Sequence, residues 1–321
     1  MTINSKATDT APNMSLWTGR TDPEANSERW HQKIQPLSQT AAPGCALLGF
    51  ESDAGVARNQ GRTGAVQGPT ALRKALAPLA WHRHGPAYDA GNVHCEGDAL
   101  ETAQQTLADQ LSTLLKAEHF PIVLGGGHEV AYGSWLGLAQ HLADNGEKAP
   151  RIGIINFDAH FDLRDPTHMR SSGTPFAQIA DECAQRGWPF RYACLGVSRA
   201  ANTRALFNRA AQLGVMVRED RDFQPAHLEC IQRDLERFMV RCDHLYLTID
   251  LDVLPAGEAP GVSAPAARGV SLALIEPLIE AIRNSGKLRL ADLAELNPEH
   301  DIDDRTARAA ARFVFQLTLD T

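Results

Sequence analysis

From Cys45 onward, short apolar runs alternate with amphipathic segments, and this alternation restricts the fold more than any other feature of the chain. Eight runs read as strands, near residues 45–50, 87–93, 120–124, 151–157, 191–197, 214–218, 244–250 and 288–295. Between them a 3.6-residue pattern predicts helices at about 99–118, 129–144, 201–213, 227–241, 271–285 and 303–318. Strands that alternate with helices pair in parallel through right-handed crossovers, which leaves a sheet covered on both faces. The run from Ile152 to Phe157 is apolar at nearly every position, as a strand buried on both faces must be. Ser271 is placed to cap the helix that follows it, and Gly286 to stop it. Residues 1–40 are polar and irregular, with Trp17 and Trp30 as expected anchors onto the body. No internal repeat and no Pro/Ser/Gly linker interrupts the remainder, so residues 41–321 are expected to form a single α/β domain.

Charge and composition remove several function classes. A net charge of −8 argues against a nucleic-acid or anionic-membrane partner, because both need basic patches. No run of eighteen apolar residues is available to span a membrane. The opening Met1–Lys6 lacks a basic stretch followed by an apolar core, so no secretory signal and a cytoplasmic location are expected. Cysteines 45, 95, 183, 194, 230 and 242 form no Cys-Xaa-Xaa-Cys pair, so they read as free and mostly buried thiols.

Three of the apolar runs end in clustered ligand-type side chains. One ends in Gly-Gly-Gly-His at 125–128, one in Asp-Ala-His-Phe-Asp at 158–162, and one in Asp-Leu-Asp at 250–252. Alternation along a strand sends Asp158, His160 and Asp162 in similar directions, and likewise Asp250 and Asp252. Ligands in open parallel sheets bind beyond the carboxyl ends of the strands. That rule brings His128, Asp158, His160, Asp162, Asp250 and Asp252 into one crevice. Four carboxylates and two imidazoles suit a hard-to-borderline divalent ion, Mn²⁺ better than Cu⁺ or a thiolate zinc site. They are also too many for one ion, and two ions would leave room for a water acidified between them. Buried unpaired carboxylates cost several kcal/mol each, so cations are what make the clustering tolerable.

Gly-Gly-Gly-His-Glu (125–129), Asp-Ala-His-Phe-Asp (158–162), Ile-Asp-Leu-Asp (249–252) and Ala-Glu-Leu-Asn-Pro (294–298) resemble the ordered motifs of the ureohydrolase family, which contains arginase, agmatinase and formimidoylglutamase. The resemblance runs from about Cys45 to the C-terminus. It implies a three-layer α/β/α arginase-like fold with an eight-stranded parallel sheet, two Mn²⁺ per chain and a homo-oligomer. It further implies that His128, Asp158, Asp162 and Asp250 hold one ion and that Asp158, His160, Asp250 and Asp252 hold the other, with Asp158 and Asp250 bridging. Glu295 takes the place of the carboxylate that grips the substrate's cationic amidine or guanidinium; two acceptor oxygens match a planar N–H fork.

The departures from the family pattern bear on the substrate. Guanidine-hydrolysing relatives usually carry a shuttle histidine where this chain has Ser172, in Ser-Ser-Gly-Thr-Pro (171–175). The segment 253–265 lacks the Asp-Pro and Gly-Thr-Gly-Thr-Pro phrasing of agmatinases. Both departures, with Asn59–Ala65 and Phe161, resemble the formimidoylglutamase branch. His168 is a nearby substitute shuttle. The reaction implied is hydrolysis of N-formimidoyl-L-glutamate to L-glutamate and formamide in histidine breakdown. The alternatives are an agmatinase or other guanidine hydrolase, or a non-catalytic metal-binding scaffold. A dicarboxylate substrate calls for guanidinium partners, for which Arg62, Arg164 and Arg199 are the candidates. Asp162 is the candidate proton carrier to the leaving amine.

Overall fold

The computed structural model describes residues 9–319. Met1–Lys6, on which the expected lack of a secretory signal rests, falls outside them.

The strands are β1 (Asp9–Thr10), β2 (Gln35–Pro36), β3 (Cys45–Glu51), β4 (Ala87–His94), β5 (Phe120–Leu124), β6 (Ile152–Phe157), β7 (Arg191–Val197), β8 (Met216–Glu219), β9 (His244–Asp250) and β10 (Leu288–Ala294). Nine form a continuous path, β1-β4-β3-β5-β10-β9-β6-β7-β8, and β2 pairs with β4 beside it. The expected count of eight is therefore too low. The eight expected strands are all present and all pair in parallel. Antiparallel β1 and parallel β2 extend the sheet at β4. Each is two residues long, too short to carry a readable period.

Helices α1 (Trp30–Lys33), α2 (Ala54–Arg58), α3 (Gly68–Leu76), α4 (Leu100–Lys116), α5 (Val130–Asp144), α6 (Pro175–Arg186), α7 (Arg204–Gln212), α8 (Leu228–Val240), α9 (Leu272–Asn284) and α10 (Arg305–Thr318) fill the connections. Six match the expected helices. The sequence reading passed over α1, α2, α3 and α6. Gly68-Pro69 and Gly173-Thr174-Pro175 look like turns, yet each proline sits in the first turn of its helix, where its missing N–H costs nothing. Ser271 does hold the N-cap position of α9, although its side chain makes no capping bond.

Period-two alternation divides the core between the two faces of the sheet. Leu47, Ile155, Leu245, Leu247 and Ile249 pack with Leu76, Leu235, Ile279 and Phe313 from α3, α8, α9 and α10. Ile154, Tyr192, Tyr246 and Leu290 pack on the opposite face with Trp135, Leu138, Ile179 and Ala210 from α5, α6 and α7. Leu48, Phe50 and Val123 extend that second face against Leu107 and Leu111 of α4. Each such Leu or Ile, fully buried, contributes roughly 1.5–3 kcal/mol. Trp17 and Trp30 are both buried, Trp30 edge-on to Trp81, and so tie the N-terminal segment down. The cysteines are free, five buried and Cys230 exposed. No helix among the described residues is long and apolar enough to cross a membrane.

This order has one consequence for the site. Strands β5, β10, β9 and β6 are consecutive neighbours at the middle of the sheet. Their ends lie in register, with Leu293 opposite Leu124, Ala294 opposite Asp250, and Ile249 opposite Phe157. Whatever follows each strand therefore emerges into the same space.

Candidate metal centre

Four loops fill that space. After β5 the chain passes through Gly125-Gly126-Gly127 at a distance from its neighbours that no side chain would allow. A Cβ on Gly126 would lie 1.7 Å from the Ser52 carbonyl oxygen, and one on Gly125 2.5 Å from that of Leu293. The tight passage delivers His128 to the sheet's edge at the start of α5. His128 Nδ1 lies 3.1 Å from Asp158, 2.9 Å from Asp162 and 3.2 Å from Asp250. His160 Nδ1 lies 2.9 Å from Asp252 and 3.6 Å from Asp158. All six expected ligands thus converge.

Their donor atoms fall into two groups, His128 with Asp158, Asp162 and Asp250, and Asp158 with His160 and Asp252, each within 4.8 Å of one another. Metal–ligand bonds of about 2.0–2.6 Å span such spacings. Asp158 belongs to both groups. Asp250, expected to bridge as well, belongs only to the first. Asp250 Oδ1 accepts the Asp252 N–H at 2.8 Å, capping the short turn Leu251–Val253, while its Oδ2 faces His128 Nδ1 at 3.2 Å.

The groups around the cluster orient it. His128 Nε2 meets Thr248 Oγ1 at 3.0 Å, which leaves Nδ1 turned to the carboxylates. Asn156 Nδ2 donates to Asp158 Oδ2 at 2.9 Å and to the Tyr192 hydroxyl at 2.9 Å. Asn156 is a fully buried amide, and its Nδ2 steers Asp158. Asn202 accepts from the Phe161 N–H at 3.1 Å and donates to the Ala159 carbonyl at 2.9 Å, bracing the loop that holds Asp158 and Asp162. Asp162 and Glu295 have left-handed backbones, φ 47° and 71°, a conformation that costs non-glycine residues energy and clusters at functional sites.

Burial governs the titration of the cluster. It pushes Asp162 up to about 6, with the charge of Asp158 adding to the effect. Burial and the charges of Asp252 and Asp158 drive Asp250 well above the ordinary carboxylate range, and burial raises Asp252. Asp158 is held low, because His128 and His160 outweigh its burial. The charge of Asp252 lifts His160 well above its usual value; His128 is lifted by its three carboxylates in spite of burial. Four carboxylates side by side cannot all ionise unaided, so the cluster takes up either protons or cations. His128 Nδ1 favours cations. It lies close to three carboxylate oxygens yet makes a hydrogen bond with none, which is how a ligand atom aimed at a shared ion is placed.

The cluster forms the floor of a cavity of about 270 Å³ whose lining includes Asn59, Gln60, Arg164, Ser172, Asn202, Ser263 and Glu295. Glu295 Oε1 accepts the His128 N–H at 3.0 Å, while its Oε2 is buried with no partner. Burial, opposed by Ser263 and reinforced by the charge of Asp252, pushes Glu295 up to about 7. Arg164 is the one expected arginine on the cavity wall. Arg62 instead donates from Nε and Nη2 to the carbonyls of Ser263 and Val262, clamping that loop, and does not line the cavity. Arg199 pairs with Glu219 and stacks over Phe207, away from the cavity lining. His168 is exposed and lines no part of the cavity. Asn202 and Ser263 were not anticipated as lining residues; Asn202 sits in no motif, Ser263 lies in the 253–265 segment already noted, and only the folded chain brings them to the wall.

A sheet of central parallel strands, flanked by helices and bearing a carboxylate–imidazole cluster at its carboxyl edge, defines a three-layer α/β/α protein with a candidate metal site. The chain belongs to the arginase family, whose pattern matches residues 43–319. It is 60% identical over 308 residues to the formimidoylglutamase of Aeromonas hydrophila subsp. hydrophila, covering 95% of this chain and 97% of that protein. Among solved structures it resembles formimidoylglutamase from Bacillus subtilis subsp. subtilis str. 168, with a TM-score of 0.80 at 21% identity over 94% of each chain. It also resembles Trypanosoma cruzi formiminoglutamase with Mn²⁺, with a TM-score of 0.75 at 23% identity over 97% of this chain and 98% of that one. At those identities the two structural likenesses are ones of fold.

Proposed function

We infer that this chain hydrolyses N-formimidoyl-L-glutamate to L-glutamate and formamide, the reading carried by its 60% identity, over 95% of its length, to a formimidoylglutamase. Residues 41–321 serve as one catalytic unit, cytoplasmic and homo-oligomeric, acting on a small molecule. His128, Asp158, Asp162 and Asp250 are the proposed ligands of one Mn²⁺ and Asp158, His160, Asp250 and Asp252 those of a second; Asp158 belongs to both groups of donor atoms that lie within 4.8 Å of one another. Two such ions, when bound, supply Lewis acidity and lower the pKa of water at the cavity floor.

The protein's own groups do the rest. Glu295 Oε2, buried and unpartnered, is free to accept an N–H of the amidinium while Oε1 stays on the His128 backbone. Water adds to the formimidoyl carbon, and the C–N bond to the glutamate nitrogen then breaks. That nitrogen leaves as an amine and needs a proton; Asp162, on the cavity wall, is the proposed carrier. Arg164 is the proposed partner of a substrate carboxylate. Agmatine carries no carboxylate and would face that guanidinium with a cation of its own.

The test is turnover of Mn²⁺-loaded protein on formimidoylglutamate, agmatine, arginine and guanidinobutyrate. Glutamate and formamide from the first substrate alone is the expected result. Urea from any guanidine would overturn the substrate assignment while leaving the proposed metal site untouched.

A further inference from the structure

One fully buried carboxyl takes no part in the chemistry above. Glu129 follows His128 directly; it is fully buried, belongs to neither ligand group and does not line the cavity. Its Oε1 accepts the Gly55 N–H at 2.9 Å and the Ser52 hydroxyl at 3.0 Å. The Ser52 hydroxyl in turn accepts the Ala54 N–H at 3.3 Å. These bonds pin the first turn of α2, and the chain leaving α2 supplies Asn59 and Gln60 to the cavity. The Gly55 carbonyl accepts from the Ser172 N–H at 3.1 Å and from the Asn59 N–H at 3.0 Å. Ser172 lines the cavity. Room for the carboxyl has been made on both sides: a Cβ on Gly127 would lie 2.1 Å from its Oε2, and one on Gly55 2.5 Å from its Cδ.

We propose that Glu129 is a positioning residue for substrate specificity: through Gly55 it sets the two wall segments, Asn59–Gln60 and Ser172, at a fixed distance from the His128 loop. Its backbone belongs to the metal strand's loop and its side chain to the wall, so one residue registers the two. The proposal rests on the substrate reading above for its kinetic arm only. Losing the shared acceptor releases two donors, while the six ligand side chains keep their own bonds.

The experiment compares Mn²⁺-loaded wild type, Glu129→Ala and Glu129→Gln by metal content, by kinetics on formimidoylglutamate, and by hydrogen exchange of residues 53–60 and 170–176. Glu129→Ala should keep its metal and exchange faster in both segments. Its KM should rise about tenfold, the scale of one lost buried hydrogen bond, while kcat changes less. Glu129→Gln, which retains an acceptor oxygen at Oε1, should restore both exchange and KM. Should Glu129→Ala fail to fold, Glu129→Asp, shorter by one methylene, should show the same two changes. Unaltered exchange and KM would overturn the proposal, and so would loss of metal with KM unchanged, which would assign Glu129 to the ligand loop. If the wild type fails to turn over formimidoylglutamate, the functional reading falls, and the exchange data still decide the role of Glu129.

Discussion

Two buried acidic regions of this molecule resolve the same electrostatic problem in opposite ways. Asp89 of β4 is fully enclosed, and Arg73 of α3 meets it with two parallel bonds, Nε to Oδ2 at 2.8 Å and Nη2 to Oδ1 at 2.9 Å. The Trp17 indole N–H and the Gly91 N–H complete its shell at 2.8 and 3.0 Å. Every demand of that carboxylate is met by the chain itself. At the other region Asp158, Asp162, Asp250 and Asp252 share two imidazoles and, among the described residues, pair with no arginine or lysine. A closed pair is neutralised within the fold; the open cluster leaves carboxylates for the cations proposed above to neutralise. The contrast separates structural charge from functional charge without reference to motif.

Breaking the open cluster should have the largest effect. Asp158→Ala removes the one carboxylate common to both ligand groups, so turnover should fall by at least about 10³-fold, the scale of lost charge stabilisation at a reacting centre. Metal analysis should show both ions depleted. Breaking the closed pair should cost stability instead. Arg73→Met strands a buried carboxylate and should lower unfolding free energy by about 3–5 kcal/mol, read from denaturant titration, with metal content unchanged. The double variant Arg73→Met/Asp89→Leu should recover part of that loss: no charge is then left alone, but the Trp17 and Gly91 N–H groups lose their acceptor.

A smaller effect belongs to the wall. Arg164→Ala should raise KM for formimidoylglutamate about 10–100-fold, the scale of one charge-assisted contact. Arg199→Ala, whose guanidinium pairs with Glu219, should leave KM unchanged. Equal effects from the two would remove Arg164 from substrate recognition.

The smallest effect concerns pH and the metal-free protein. Asp162 is raised from 3.8 to about 6 and Glu295 from 4.5 to about 7, both chiefly by burial. His128 and His160 are raised as well. A group whose folded value is raised stabilises below its unfolded value, and that contribution is lost as pH rises through the folded value. The contributions of Asp162 and Glu295 therefore disappear between about pH 4 and pH 7. Asp158, held low, acts in the opposite sense but is one group against several. The melting temperature of chelator-treated protein should drop across this window, and Mn²⁺ should flatten the profile. A profile that is flat without metal would contradict the cluster's electrostatics.

Much of the site was legible in the sequence because strand ends are local facts. An apolar run ending in Asp158 or Asp250 locates a side chain at a sheet edge, and parallel alternation brings the edges together. What was not legible depends on long-range placement. Arg62 and Arg199 sit in the expected loops, yet the partners that claim them, the Val262 and Ser263 carbonyls and Glu219, lie distant in sequence. Asp250 Oδ1 takes a backbone hydrogen bond from Asp252, a contact between near neighbours that no strand or helix period announces. The two extra strands were missed because two residues have no period. Helices α3 and α6 were missed because proline at a helix start reads like proline in a turn.

The most direct test of this division is metal stoichiometry. Protein stripped with chelator, reconstituted with Mn²⁺ and freed of excess ion should carry two Mn²⁺ per chain by elemental analysis, falling toward none in Asp158→Ala while Arg73→Met retains both. A wild-type chain holding one ion or none, or an Asp158→Ala variant that keeps two, would contradict the assignment of the open cluster to metal.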